Sequence, residues 1–197
     1  MLKVGLTGGL GSGKSTASRF FRSLGAFILD ADSTAKKLIE SDERVNEALI
    51  KEFGTDIINA SSNVDKKKLA RVAFQDEDHQ QRLNYVVHPH INNAIDKSFD
   101  KILDQSNKKL FIVDAALIYE SGYDAHLDYV IVVTAQLKNR MERAMNRNTL
   151  TREEILKRIE FQWPEEEKIG LADFVVHNDG TEDELGEQIV DLYKKLV

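Results

Sequence analysis

Gly8-Gly9-Leu10-Gly11-Ser12-Gly13-Lys14-Ser15 decides how this chain is read. The stretch fits G-x-x-x-x-G-K-[ST] without a gap. It follows residues 2–7, LKVGLT, which read as a short buried strand. It precedes residues 14–24, where Phe20, Phe21 and Leu24 give a helical pattern. Strand, glycine turn and helix in that order make a phosphate cradle. Successive backbone N–H groups of Gly8, Gly9, Gly11, Ser12 and Gly13 can converge on phosphate oxygens, and the helix adds its positive end. Lys14 is placed to bridge β- and γ-phosphates, the Ser15 hydroxyl to hold Mg²⁺, and Thr16 to add a phosphate contact.

Outward from this loop, short apolar runs recur. Residues 26–29 form a second run ending in Asp30 and Asp32; Leu110–Val113, Tyr129–Val133 and Asp173–Val176 repeat the pattern. Helical spacing fills the gaps at 33–52, 65–104, 136–148 and 151–162, with an expected break at His88–Pro89, since proline disfavours α geometry before it. From Glu182 the apolar Leu185, Ile189, Leu192 and Leu196 predict an amphipathic final helix. Buried strands separated by helices imply an α/β fold with a mostly parallel sheet covered on both faces. The span 33–104 holds no comparable strand and reads as an insertion outside the sheet.

Composition narrows the classes. A chain of 197 residues is one domain with smaller inserts, and a net charge of −6 argues against a dedicated nucleic-acid module. With no cysteine there is no disulfide, thiolate metal site or cysteine nucleophile, which fits a reducing cytoplasm. The first ten residues lack the pattern of a signal peptide, and no apolar run is long enough to span a membrane. A monomer is the default expectation. A GTPase would show N-K-x-D, but Asn107-Lys108-Lys109-Leu110 ends in leucine. A small kinase is what remains, with a nucleotide kinase or a non-catalytic nucleotide switch as rivals.

Such a kinase needs a base, a metal site and cations over the travelling phosphate. Asp32, and Asp30 beside it, end the second apolar run, where a carboxylate can take the proton of an acceptor hydroxyl. Asp114 closes the Leu110–Val113 run in the position of an acid that orients Mg²⁺. Glu120 reads either as an acceptor-site residue or as a surface glutamate. Residues 136–158 carry seven positive charges against three negative. Arg140, Arg143 and Arg147 share one helical face there, with Leu137, Met141 and Met145 as a neighbouring packing stripe. That fits a lid presenting guanidinium groups to ATP. His88-Pro89-His90 lacks the further ligands of a zinc site, and His88 suits hydrogen bonding in the acceptor pocket.

With these residues named, the chain closely resembles the dephospho-CoA kinase family. VGLTGGLGSGKST (4–16), ILDAD (28–32), VVHPHI (86–91), VDAALIYESG (113–122), RAMNR (143–147), RIEFQW (158–163) and EKIGLADFVVHNDG (167–180) occur in that family's order. The resemblance implies a three-layer P-loop nucleoside triphosphate hydrolase fold with a five-stranded parallel sheet, a helical acceptor-binding insertion and a helical lid. It implies a core of 1–32, 106–137 and 163–197, a CoA-binding region of 33–105 and a lid of 138–162. It implies transfer of the ATP γ-phosphoryl group to dephospho-CoA with Mg²⁺. Asp32 then stands as the base, Lys14, Arg143 and Arg147 as catalytic cations, and Asn178 and Gly180 in the adenine pocket. His88, Leu117 and Glu120 fall on the acceptor side. Two departures stand out: Ala116 replaces a usual proline, and Arg140 stands where the family carries glutamine.

Overall fold

The structure is a computed structural model that describes residues 1–147 and 149–197. Two compact units result: residues 1–30 with 99–197, and residues 31–98. In the first, strands β1 (Leu2–Thr7), β2 (Phe27–Asp30), β3 (Leu110–Asp114), β4 (Tyr129–Thr134) and β5 (Phe174–His177) form one parallel sheet. Their order is β2-β3-β1-β4-β5, so the chain changes direction around β1 and leaves a crevice at that strand's carboxyl end. The register sets Leu6 beside Asp114 and Asp30 beside Asp114, which brings those strand ends level.

Helix α1 (Lys14–Ser23) buries Ala17 and Phe21 on one face of the sheet. There they meet Val4, Leu6, Ile112 and Ile131, and the final helix supplies Leu185, Ile189, Leu192 and Leu196, as its four-three-four spacing predicted. The opposite face packs Val130 and Val132 against Ile118 and Tyr119. Both faces are covered. A buried leucine-sized side chain contributes about 1.5–3 kcal/mol, so this double layer is what makes so short a sheet stable.

The second unit is helical: α2 (Ala31–Ser41), α3 (Glu43–Phe53), α4 (Lys66–Ala73) and the first part of α5 (Glu77–Gln105). Val45, Leu49, Ile57, Leu69, Ala73 and Val87 form its core. The expected single helical stretch 33–52 is two helices, because the Asp42 carboxylate caps α3 by accepting from the N–H groups of Arg44 and Val45. The break expected at His88–Pro89 falls instead between α4 and α5, and α5 runs through Pro89. Pro89 lies on the exposed side, with Tyr85 one turn earlier 84% exposed, so the carbonyl losing its donor is on the wet face. Val87 and Ile95, at most 4% exposed, hold the helix on its other side. Among the described residues no helix is long and apolar enough to cross a membrane.

Candidate functional site

The first unit gathers the phosphate loop and most of the residues singled out from sequence. Gly13 caps α1 in a left-handed conformation, φ 99°, and as glycine it brings no side chain to close that helix end. A side chain at Gly13 would also run into the Asn178 amide. Glycine is required twice over at this point, for backbone and for space. Behind it, Asn178 Nδ2 donates to the Ser12 carbonyl at 2.8 Å, and the Asn178 N–H donates to Thr134 O at 2.8 Å. The loop is thereby tied to the end of β4. The Ser12 hydroxyl is buried with no hydrogen-bond partner among the described residues.

Lys14 Nζ contacts Asp114 Oδ1 at the carboxyl end of β3. Both side chains are mostly sheltered, 15% and 11% exposed, while Ser15 beside them is exposed. A hydroxyl and a carboxylate are hard oxygen donors of the kind Mg²⁺ takes, and that ion needs few protein ligands when phosphates supply the rest. The donor set therefore fits the ion.

A cavity of about 440 Å³ is lined by Gly11, Gly13 and Thr16 of the loop and the start of α1. Arg143, Arg147, Asn178 and Gly180 line the same cavity. Helix α6 (Leu137–Asn146) supplies Arg143, whose guanidinium donates to the Asn178 carbonyl at 2.8 Å; Arg147 caps that helix and is exposed. Asp179 Oδ1 accepts from the Gln136 N–H at 2.7 Å and from Asn139 Nδ2 at 2.9 Å. The Gln136 hydrogen bond, more than the neighbouring charges, holds the Asp179 carboxyl below the usual range.

Two expectations are corrected here. Arg140 does not stand with Arg143 and Arg147: it is 6% exposed, donates from Nε to Leu10 O at 3.1 Å, and pairs with Glu165. Burial pushes its guanidinium below the usual arginine value, and the charge of Glu166 opposes that shift. Nor is Leu137–Met141–Met145 a packing stripe, since Leu137 is 56% and Met145 45% exposed; Arg140 and Ala144 are the buried residues of α6.

Glu120 is not a surface glutamate, since its side chain is only 8% exposed. Its Oε1 takes Lys168 Nζ at 2.5 Å and the Trp163 N–H at 2.9 Å. Lys168, 1% exposed, also donates to Ala116 O at 3.3 Å, and the Thr7 hydroxyl reaches the same carbonyl at 3.2 Å. Leu117 lies half-buried in the segment between. Helix α7 (Arg152–Glu160) opens on a Thr151–Glu154 capping box, and α8 (Glu165–Leu171) follows. Sequence reasoning missed α8 and assigned no work to Gln162, Glu165 or Lys168. Glu165 and Lys168 three residues apart after Pro164 were the available signal. Asp32, in the first turn of α2, and His88, in α5, belong to the other unit.

The comparisons agree with this architecture. Solved structures of similar fold include TT1252 from Thermus thermophilus, with TM-score 0.82 and 32% identity over 100% of this chain and 98% of the other. Dephospho-CoA kinase from Campylobacter jejuni gives 0.68 and 27%, covering 98% and 96%. A shikimate kinase from Bacteroides thetaiotaomicron, 12% identical at TM-score 0.57 over 99% and 98% of the two chains, shares the fold. Among curated sequences, the dephospho-CoA kinase of Chlorobium chlorochromatii is 38% identical over 100% of this chain and 94% of its own. That of Aquifex aeolicus is 37% identical over 100% and 98%. The family model described as dephospho-CoA kinase matches residues 2–184, and this chain belongs to that family.

Proposed function

We infer that this chain transfers the γ-phosphoryl group of ATP to the ribose 3′-hydroxyl of dephospho-CoA, giving CoA and ADP. The observation that carries the reading is the uncapped start of α1, with Lys14 at the loop mouth beside Asp114, in a chain of this family. Loop N–H groups take the β-phosphate oxygens, and Lys14 exchanges Asp114 for the β- and γ-phosphates. Ser15 and Asp114 would hold Mg²⁺, which when bound neutralises charge on the phosphate oxygens. Arg143 and Arg147, in the lid segment 138–162, bring positive charge to the nucleotide wall of the cavity. Asn178 and Gly180 border the base; the amide of Asn178 is committed to Ser12, so its part is to shape that wall.

Asp32 takes the proton of the acceptor hydroxyl. Support comes from its position two residues past Asp30, at the carboxyl end of β2, where ligands of such sheets gather. The helical region 33–105 with His88, and Leu117 from the 114–120 loop, bind the CoA side. The reading carries with it a cytoplasmic, monomeric enzyme.

Purified protein with Mg-ATP is to be offered dephospho-CoA, nucleosides and nucleoside monophosphates while ADP release is followed. Turnover is expected on dephospho-CoA; turnover on a nucleoside or nucleoside monophosphate alone would overturn the reading. Asp32→Ala should lower kcat by about 10²-fold and leave ATP affinity nearly intact. Equal loss of both would remove Asp32 as the base.

A further inference from the structure

We propose that Arg140, Gln162 and Glu165 are positioning residues for the nucleotide, acting by fixing the outer turn of the phosphate loop at Leu10. The proposal rests on the reading above only in taking that loop as the phosphate cradle; the acceptor does not enter.

Both backbone groups of Leu10 are held from outside the loop. Its N–H donates to Gln162 Oε1 at 3.3 Å, and its carbonyl accepts from Arg140 Nε at 3.1 Å. Ser12 N–H donates to Gly9 O at 3.0 Å, which closes the turn that has Leu10 at its tip. The N–H groups at the start of α1 follow this turn directly, so a shift at Leu10 re-aims them.

The clamp leaves no slack. A side chain at Gly9 would run into the Arg140 guanidinium, and one at Gly11 into the Arg140 backbone. The guanidinium NH1 pairs with Glu165, and the two side chains are only 7% and 14% exposed. A charge pair so placed has little water to compete for it, which fixes its geometry more tightly than a surface pair would. The far side of the clamp is anchored in turn. One turn along α8 from Glu165, Lys168 is tied to Glu120 and to the Ala116 carbonyl. Glu165 therefore cannot follow Arg140 if the loop drifts. A cavity of about 60 Å³ bounded by Gly9, Arg140, Gln162, Glu165 and Lys168 leaves room for little beyond ordered water. Arg140 spends Nε on the Leu10 carbonyl and Nη1 on Glu165, so its service to the ligand is indirect.

A buried ion pair that served only stability would behave differently. The paired variant Arg140→Met with Glu165→Met strands no charge, so its melting temperature should stay near that of the parent. It still removes the Leu10 carbonyl contact. Calorimetric titration with ADP should show Kd raised about tenfold in this variant, because small misplacements of binding groups are expensive. Gln162→Met removes the other contact without stranding a charge and should raise the ADP Kd about threefold. Arg140→Lys, which keeps charge and a donor, should recover part of the loss. In kinetics, KM for ATP should rise while KM for the acceptor stays within about twofold. ADP Kd at the parent value in both the paired variant and Gln162→Met would overturn the proposal, as would an equal rise in both KM values. Absence of turnover on dephospho-CoA would overturn the functional reading and leave the ADP titrations standing.

Discussion

The phosphate loop has two sides, and their charges are treated in opposite ways. At the mouth, Ser15 and Arg147 are exposed, and Lys14, itself mostly sheltered, meets Asp114. At the back, Arg140, Glu165, Lys168 and Glu120 have side chains between 1% and 14% exposed and are paired with one another. Arg140 lies inside α6 and Arg147 caps its end; one is locked and the other open. Side-chain type does not set the role. Arg147, which lines the cavity, keeps access to water, whereas Arg140 is buried with a counter-charge and a backbone acceptor.

Lys14→Ala gives the largest expected effect on this contrast. It removes the mouth cation that meets charge developing on the phosphates, and kcat/KM should fall about 10³-fold. ADP affinity should fall with it in the same titration. Turnover that survived the change, with a melting temperature that did not, would break the division between the two sides.

Lys168→Met asks the same question at the back. It strands the Glu120 carboxylate, whose second oxygen, Oε2, already has no hydrogen-bond partner among the described residues. Removing one member of a buried pair costs about 3–5 kcal/mol, and for a chain of this size the melting temperature should drop by about 10 °C. Adding Glu120→Leu should recover most of that loss. A single variant that melts with the parent would show that the back is not where stability is held.

The two sides also differ in how far the sequence disclosed them. The mouth is written in local patterns: glycine spacing around Lys14, apolar runs ending in Asp30 and Asp114, and an amphipathic helix from Glu182. Each needs only a few adjacent residues to be recognised, and a parallel sheet covered on both faces follows from how such units alternate. The back is written in pairs distant along the chain, Arg140 with Glu165 and Glu120 with Lys168. No periodicity marks such a pair, so spacing groups Arg140 with the lid arginines and leaves the partner of Glu120 unread. Pro89 misled for the complementary reason. A local rule against helix before proline was outweighed by the burial of Val87 and Ile95 on the same helix.

Asp179 gives the smallest and most conditional test, because its carboxylate is an exposed charge at the rim of the mouth. The Gln136 N–H holds its folded pKa below the ordinary aspartate value. A depressed carboxylate pKa contributes stability above the unfolded value and loses it as pH falls through the folded value. The parent's melting temperature should therefore fall more steeply than that of Asp179→Asn between about pH 5 and pH 2. At neutral pH the two should differ only slightly, since asparagine can still accept from the Gln136 N–H. Exposure also means screening, so the difference in slope should shrink at about 1 M salt, where the Debye length is about 3 Å. The buried pairs at the back should not respond in that way. Superimposable acid melting curves for parent and variant would take Asp179 out of the electrostatics of the mouth; a salt-independent difference would move it to the class of locked charges.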